Sequence, residues 1–254
     1  MPHAVARLRQ DRLARATKPF VARGGGGLRC ARCRLALPQC VCPYTPRVNT
    51  PVGVCLLMGD IEAIKPSNTG WLIADVVPDT FAFEWSRTAV DARLLSLLAD
   101  PQWSPVLVFP GEFAPPERVV EQWPNPQPAP HVAAKRPLFV LLDGTWSEAR
   151  KMFRKSPYLD ALPVLSLNPV RASAYRLRRS QRDDHLCTAE VAVLCLEMAS
   201  EPHAAAVLWA YFDVFSAHYL AAKSKQKLDL GDAAHQALAA LMAAQAPSGK
   251  PSSV

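Results

Sequence analysis

With 254 residues, half of them hydrophobic, the chain holds enough apolar material for one large domain with attachments. No apolar run is long enough to span a bilayer and the first 20 residues lack the apolar core of a secretory leader, so membrane and secreted readings are set aside and a cytoplasmic protein is expected. The net charge of +7 is uneven: Arg7, Arg9, Arg12, Arg15, Lys18, Arg23, Arg29, Arg32 and Arg34 face only Asp11 in residues 1–34, and Arg171, Arg176, Arg178, Arg179 and Arg182 form a second basic run, so a nucleic acid is the expected partner and a solvated basic surface the alternative.

In chain order, residues 5–17 predict a short basic helix and Gly24 to Gly27 a flexible break. An Arg-rich, acid-poor start also suits an organellar transit peptide, but a cysteine cluster follows it too closely. Four of the seven cysteines, Cys30, Cys33, Cys40 and Cys42, fall within thirteen residues with the spacing C-x2-C-x6-C-x-C. In a reducing compartment thiols are not oxidised to disulfides. Four thiolates so close together suit a closed tetrahedral Zn²⁺ site with a structural role. An iron–sulfur cluster is the rival. Cys55, Cys187 and Cys195 lie in apolar runs and read as core residues.

Residues 52–58 predict the first buried strand, and Ser67 to Gly70 precede a helical pattern through Val77. Strands are predicted over 79–85 and 105–109, with a helix over 89–99 between them. Trp123 to Pro130, with a proline at every second position from 124, reads as an exposed loop. Then come a strand over 138–142, a helix over 146–155 and a short strand over 163–167. Long apolar-faced helices are expected at 185–199 and 203–222, an Ala-rich helix at 232–245, and a disordered tail beyond. Strands alternating with helices, and nearly continuous in apolar residues, predict an α/β fold: a mostly parallel sheet with helices on both faces. Neither a G-x-G-x-x-G nor a P-loop signature is present, which disfavours dinucleotide or nucleoside triphosphate binding in the usual modes.

Asp143 ends the apolar run Leu138 to Leu142, Gly144 permits a tight bend, and Thr145 and Glu148 have the spacing of a capping box that starts a helix at Trp146. A carboxylate therefore stands at the carboxyl end of a buried strand beside a helix N-terminus, where open α/β sheets bind ligands. It can act as a base, hold a cationic or hydroxyl-bearing ligand, or only cap the turn. Asp60 to Thr69, Pro110-Gly111 and Asn168 to Arg171 follow other predicted strands. In a parallel sheet these segments line one edge.

Taken together, Cys30 to Cys42, Lys65-Pro66-Ser67-Asn68-Thr69-Gly70, Val108-Phe109-Pro110, Asp143-Gly144-Thr145-Trp146, Ser147 to Leu159, Ser173 to Arg178 and Cys187-Thr188-Ala189-Glu190 resemble the DTW-domain family over roughly residues 5 to 222, and within it the bacterial tRNA-uridine aminocarboxypropyltransferases. The resemblance implies a SPOUT-like fold. It also implies transfer of the 3-amino-3-carboxypropyl group of S-adenosylmethionine to N3 of a tRNA uridine, position 47 of the variable loop, with release of 5′-methylthioadenosine. It suggests a division into a basic helix and zinc knuckle at 1–46, a catalytic domain at 47–225 and an Ala-rich helix with its tail at 226–254. Gly59-Asp60 after Met58 departs from branches that carry His there, and Trp71 stands where Arg is commoner. The first difference leaves His out of the mechanism.

On this reading Asp143, Thr145 and Trp146 are the catalytic candidates. The donor is expected against Phe109, Pro110, Gly111, Asp143, Gly144, Thr145, Leu165, Leu167, Asn168, Arg171 and Tyr175. Transfer RNA is expected against Lys65, Ser67, Asn68, Thr69, Arg176, Arg178 and Arg179, and zinc on Cys30, Cys33, Cys40 and Cys42. The competing readings are an RNA methyltransferase with the same donor and a non-enzymatic zinc-knuckle RNA-binding module.

Overall fold

The computed structural model describes residues 1–18, 20, 28–123, 134–167 and 186–245. The glycine break, the prolines of the 124–130 stretch, the candidates Asn168, Arg171, Tyr175, Arg176, Arg178 and Arg179, and the tail beyond 245 lie outside these residues. The elements run α1 (Ala4–Ala14), β1 (Gly53–Met58), α2 (Gly70–Val76), β2 (Thr80–Glu84), α3 (Ala92–Ala99), β3 (Trp103–Val108), β4 (Val119–Val120), β5 (Arg136–Asp143), α4 (Trp146–Arg154), β6 (Val164–Leu165), α5 (Thr188–Met198), α6 (Pro202–Ser224) and α7 (Ala233–Gln245).

Six strands form one sheet in the order β2-β1-β5-β3-β6-β4, and every pairing is parallel. Side chains alternate across a strand, and both faces are apolar. Val54, Leu56 and Met58 of β1 and Phe139 and Leu141 of β5 join one cluster, with α2, α5 and α6. Cys55 and Leu57, and Leu138 and Val140, join the other, with Leu94 and Leu97 of α3 and Ala149 and Phe153 of α4. This is the two-sided cover that the continuous apolar runs predict.

The first cluster is larger than a sheet-and-helix layer. Val5 of α1, Cys33, Leu35 and Val41 of the cysteine segment and Leu238 of α7 are all buried in it. The boundaries suggested at residues 46 and 225 thus fall within one continuous apolar cluster.

Several expectations shift. The helix predicted from 89 starts at Ala92, because the Asp91 side chain accepts from the Arg93 backbone N–H and caps it. The strand predicted over 163–167 pairs only at Val164 and Leu165, between β3 and the short edge strand β4, which has no sequence-level counterpart. Trp123, placed in an exposed loop, is half-buried against the first cluster.

Candidate functional site

The site is set by where connections diverge. β1 and β5 are neighbours, with Met58 in register with Asp143. The chain leaves β1 for α2, whose Trp71, Leu72 and Ile73 join the first apolar cluster. It leaves β5 for α4, whose Ala149 and Phe153 join the second. Adjacent parallel strands whose connections go to opposite faces open a crevice at their carboxyl ends, the usual ligand site of open α/β sheets. Asp143 is the last residue of β5 at that edge.

Asp143 is 2% exposed. Asn68 Nδ2 donates to Asp143 Oδ2 at 2.7 Å, and the Thr188 hydroxyl donates to Oδ1 at 2.6 Å. The backbone carbonyl of Asp143 accepts from Gly59 N–H at 2.8 Å, which closes the ladder to β1. Asn68 is fully buried, and its Oδ1 accepts from the backbone N–H of Trp71 at 3.1 Å. Thr69, 4% exposed, accepts from the backbone N–H of Ala189 at 3.3 Å. A Cβ on Gly70 would lie 2.7 Å from Asp143 Oδ2, so only glycine permits this approach. Three segments distant in sequence, 67–70, 143–146 and the start of α5, meet at one carboxylate.

The Thr145–Glu148 capping box is present. Glu148 N–H donates to Thr145 Oγ1 at 3.3 Å, and Thr145 N–H donates to Glu148 Oε2 at 2.8 Å. Trp146 is half-buried and stacks on Phe109 with ring centroids 5.5 Å apart and an interplanar angle of 11°. Phe113 meets Trp146 edge-on at 5.7 Å. An aromatic wall thus joins the segments that follow β3 and β5. Phe113 is missed by pattern reading because its short 3₁₀ turn, Gly111–Phe113, has no apolar period.

The remaining candidates divide. The loops after β3 and β6 do meet, but through their own polar groups: Phe109 N–H donates to the Leu165 carbonyl at 3.2 Å, and Gly111 N–H to Ser166 Oγ at 3.0 Å. Leu165 is fully buried and Leu167 half-buried. Lys65 and Ser67 are half-buried, and Lys65 Nζ pairs with the fully buried Glu62 at 2.5 Å. Asn68 and Thr69, expected at a tRNA surface, instead stand in the interior as partners of Asp143 and α5. The helix α1, expected on phosphates, commits two arginines to the protein. Arg12 pairs with Asp60 at 2.6 Å, and Arg15 pairs with Glu84. The Arg12 hydrogen bond holds the Asp60 carboxyl below the usual carboxylate range.

The cysteine segment forms a small hairpin, bridged at Arg29 and Ala36, with Arg34 in the left-handed region at φ 69°. The sulfur ligand atoms of Cys30, Cys33, Cys40 and Cys42 all lie within 4.8 Å of one another, so the cluster can hold a metal ion. Cys30 and Cys42 sulfurs are 3.6 Å apart, and those of Cys33 and Cys40 3.7 Å. The edge of a tetrahedron with zinc–sulfur bonds of about 2.3 Å is about 3.8 Å, so the donor set fits that ion. Burial pushes the Cys30 thiol up, but hydrogen bonds from the Cys33 and Arg32 backbone and with the Cys40 and Cys42 side chains together bring it down to about 7. Burial pushes Cys42 up to about 11.

Two arginines that sequence reading assigned to a basic surface clasp this hairpin to α2. Arg32 pairs with Asp75 at 2.8 Å. Arg34, 3% exposed, donates to the Lys65 carbonyl at 3.0 Å and lies 3.8 Å over the Trp71 ring. Tyr211 of α6 donates to the other Asp75 oxygen at 3.0 Å. Cys55 and Cys195 are core residues, as expected. No helix among the described residues is long and apolar enough to cross a membrane.

A family model described as DTW domain matches residues 27–220. A relative in Drosophila melanogaster, tRNA-uridine aminocarboxypropyltransferase 2, is 26% identical over 177 residues, which span 66% of this chain and 65% of that protein. No solved structure matches the chain.

Proposed function

The chain belongs to the DTW-domain family, and from that premise we propose that it transfers the 3-amino-3-carboxypropyl group of S-adenosylmethionine to N3 of a tRNA uridine, position 47 of the variable loop, in the cytoplasm. The observation that carries this reading is the buried Asp143, within Asp143-Gly144-Thr145-Trp146, at the carboxyl end of β5 where the connections from β1 and β5 diverge. The name of the Drosophila relative supports the substrate class.

Uridine N3 bears a proton and is a poor nucleophile until it is lost. Asp143 accepts that proton as the bond from N3 to the propyl carbon forms and the carbon–sulfur bond breaks. The sulfonium charge is neutralised in the step, and 5′-methylthioadenosine leaves. Three carbons flank the sulfur, so the reacting carbon is chosen by positioning. The α4 N-terminus at Thr145–Ser147 and Arg171 bind the donor carboxylate. The aromatic wall of Phe109 and Trp146 walls off water from the reacting atoms. Lys65, Ser67, Arg176, Arg178 and Arg179 are the residues assigned to tRNA. Zinc on the four cysteines is structural, because a fully ligated ion has no open position for chemistry.

The deciding experiment incubates the protein with tRNA and S-adenosylmethionine and weighs the nucleosides after digestion. A uridine carrying the 3-amino-3-carboxypropyl group, with 5′-methylthioadenosine as by-product, is expected. A methylated nucleoside with S-adenosylhomocysteine assigns a methyltransferase instead, and RNA binding with no donor affinity assigns a binding module.

Phosphate contacts release counterions, so the affinity for tRNA is expected to fall steeply with salt. Replacing Arg176 and Arg178 by alanine should lower the slope of log affinity against log salt by about 1 to 2. An unchanged slope in a filter-binding titration assigns both arginines to contacts within the protein.

A further inference from the structure

We propose that Thr188, the first residue of α5, is a positioning residue that fixes the carboxylate of Asp143 for the reaction, an inference that rests on the reading of Asp143 given above.

An ionised carboxylate only accepts, so the 2.6 Å contact is a hydrogen bond from the Thr188 hydroxyl to Asp143 Oδ1. The orientation of Asn68 follows from its other partner. Its Oδ1 accepts from a backbone N–H, so its Nδ2 must be the atom that faces Asp143 Oδ2 at 2.7 Å. Each carboxylate oxygen therefore has its own side-chain donor, from opposite sides of the sequence, and rotation about the Cβ–Cγ bond of Asp143 would break both bonds. The two donors are not equivalent. Asn68 is fully buried and also caps the entry to α2, so its loss disturbs the fold. Thr188 is half-buried.

Thr188 is also held from its own side. Cys187 N–H donates to Glu190 Oε2 at 2.7 Å in a capping interaction that starts α5 at Thr188. Ala189 N–H donates to Thr69 Oγ1. With the helix start pinned at both neighbours, the hydroxyl is aimed at Asp143 by the backbone. A hydrogen bond to the ionised form favours that form, so Thr188 also keeps Asp143 ready to accept a proton. Among the described residues, the charged groups on these segments, Glu62 and Lys65 after β1, Glu148 in α4 and Glu190 in α5, are the same in the variants below.

The test uses the full chain as purified with its metal. Thr188→Val keeps the shape and removes the hydroxyl; Thr188→Ser keeps the hydroxyl. With both substrates saturating, Thr188→Val should lower kcat about 10- to 100-fold and leave the KM for donor and tRNA within about twofold, with Tm unchanged and Ser restoring most of the rate. The acid limb of the kcat profile should move up by about one pH unit, because the ionised form has lost a donor. The same shift should appear in the titration of Asp143 followed by carboxyl ¹³C NMR, which needs no turnover. An unshifted titration in Thr188→Val overturns the inference whatever the reaction is. A fall in Tm and donor affinity with kcat preserved also overturns it, since that is the mark of a helix cap alone. A shifted titration in a protein whose wild type makes no modified uridine retains the Thr188–Asp143 pairing and defeats the transferase reading instead.

Discussion

Asp143→Asn is expected to reduce turnover by about 10²–10⁴-fold, the usual range for losing a general base, while donor and tRNA still bind. The two side-chain partners described above can accommodate the new amide. Asn68 offers only an N–H to position 143, so the new amide must turn its oxygen that way. Its nitrogen then faces Thr188, whose hydroxyl can rotate to accept. Both of these hydrogen bonds survive with one direction reversed, and the cost of that reversal is about 1 kcal/mol. Single-turnover rates with calorimetric affinities separate the roles. A parallel loss of S-adenosylmethionine affinity identifies Asp143 as a donor-binding residue. Full activity with both substrates saturating would sink the catalytic assignment and move it to Glu62 or Asp60 after β1, which pair with Lys65 and Arg12 in this structure.

The second large effect is expected at the cysteines. Cys30→Ser, or prolonged chelation, should lower Tm by ten degrees or more and weaken donor binding together with it. Spacing alone presents the knuckle as a separate attachment. The structure buries Cys33, Leu35 and Val41 in the cluster that also holds Trp71 and Leu72 of α2, and Arg32 and Arg34 tie the hairpin to α2. Apparent metal-binding energies of structural zinc sites, about 10–16 kcal/mol, are as large as the whole stability of a typical domain. Loosening the hairpin therefore frees the α2 entry, where Asn68 meets Asp143. Differential scanning fluorimetry with calorimetry checks this. A locally frayed hairpin with unchanged Tm and donor affinity counts against it, as does elemental analysis that finds less than one metal per chain.

The sheet, its parallel sense and the carboxyl-end position of Asp143 were legible because they depend on local signals: continuous apolar runs, a capping box and an Asp-Gly bend. The partners of Asp143 were not. Asn68 lies 75 residues before it and Thr188 45 after it, and each looks locally like an ordinary cap. The contact of Thr69 with Ala189 spans 120 residues. Nothing in a period of 2 or 3.6 registers such a pairing. The arginines of α1 failed for the same reason: Asp60 and Glu84, 48 and 69 residues away, absorb charge that composition assigned to a polyanion. β4 escaped notice because two apolar residues after a proline pair carry no alternation to count.

The course of α1 also decides where a reporter can be attached. Its start lies against α2, with the N-cap His3 edge-on to Trp71 at 4.4 Å, and its end reaches Asp60 and Glu84 through Arg12 and the C-cap Arg15. Eleven helical residues separate those two places by about 16 Å. A fluorophore on the first residue stands on the flank of the molecule, while one at residues 16–18 stands at the rim beside Asp60 and Glu84. The pair offers a matched comparison: a dye whose emission responds to tRNA at the second position and stays silent at the first would report docking at the crevice edge rather than a general change in the fold.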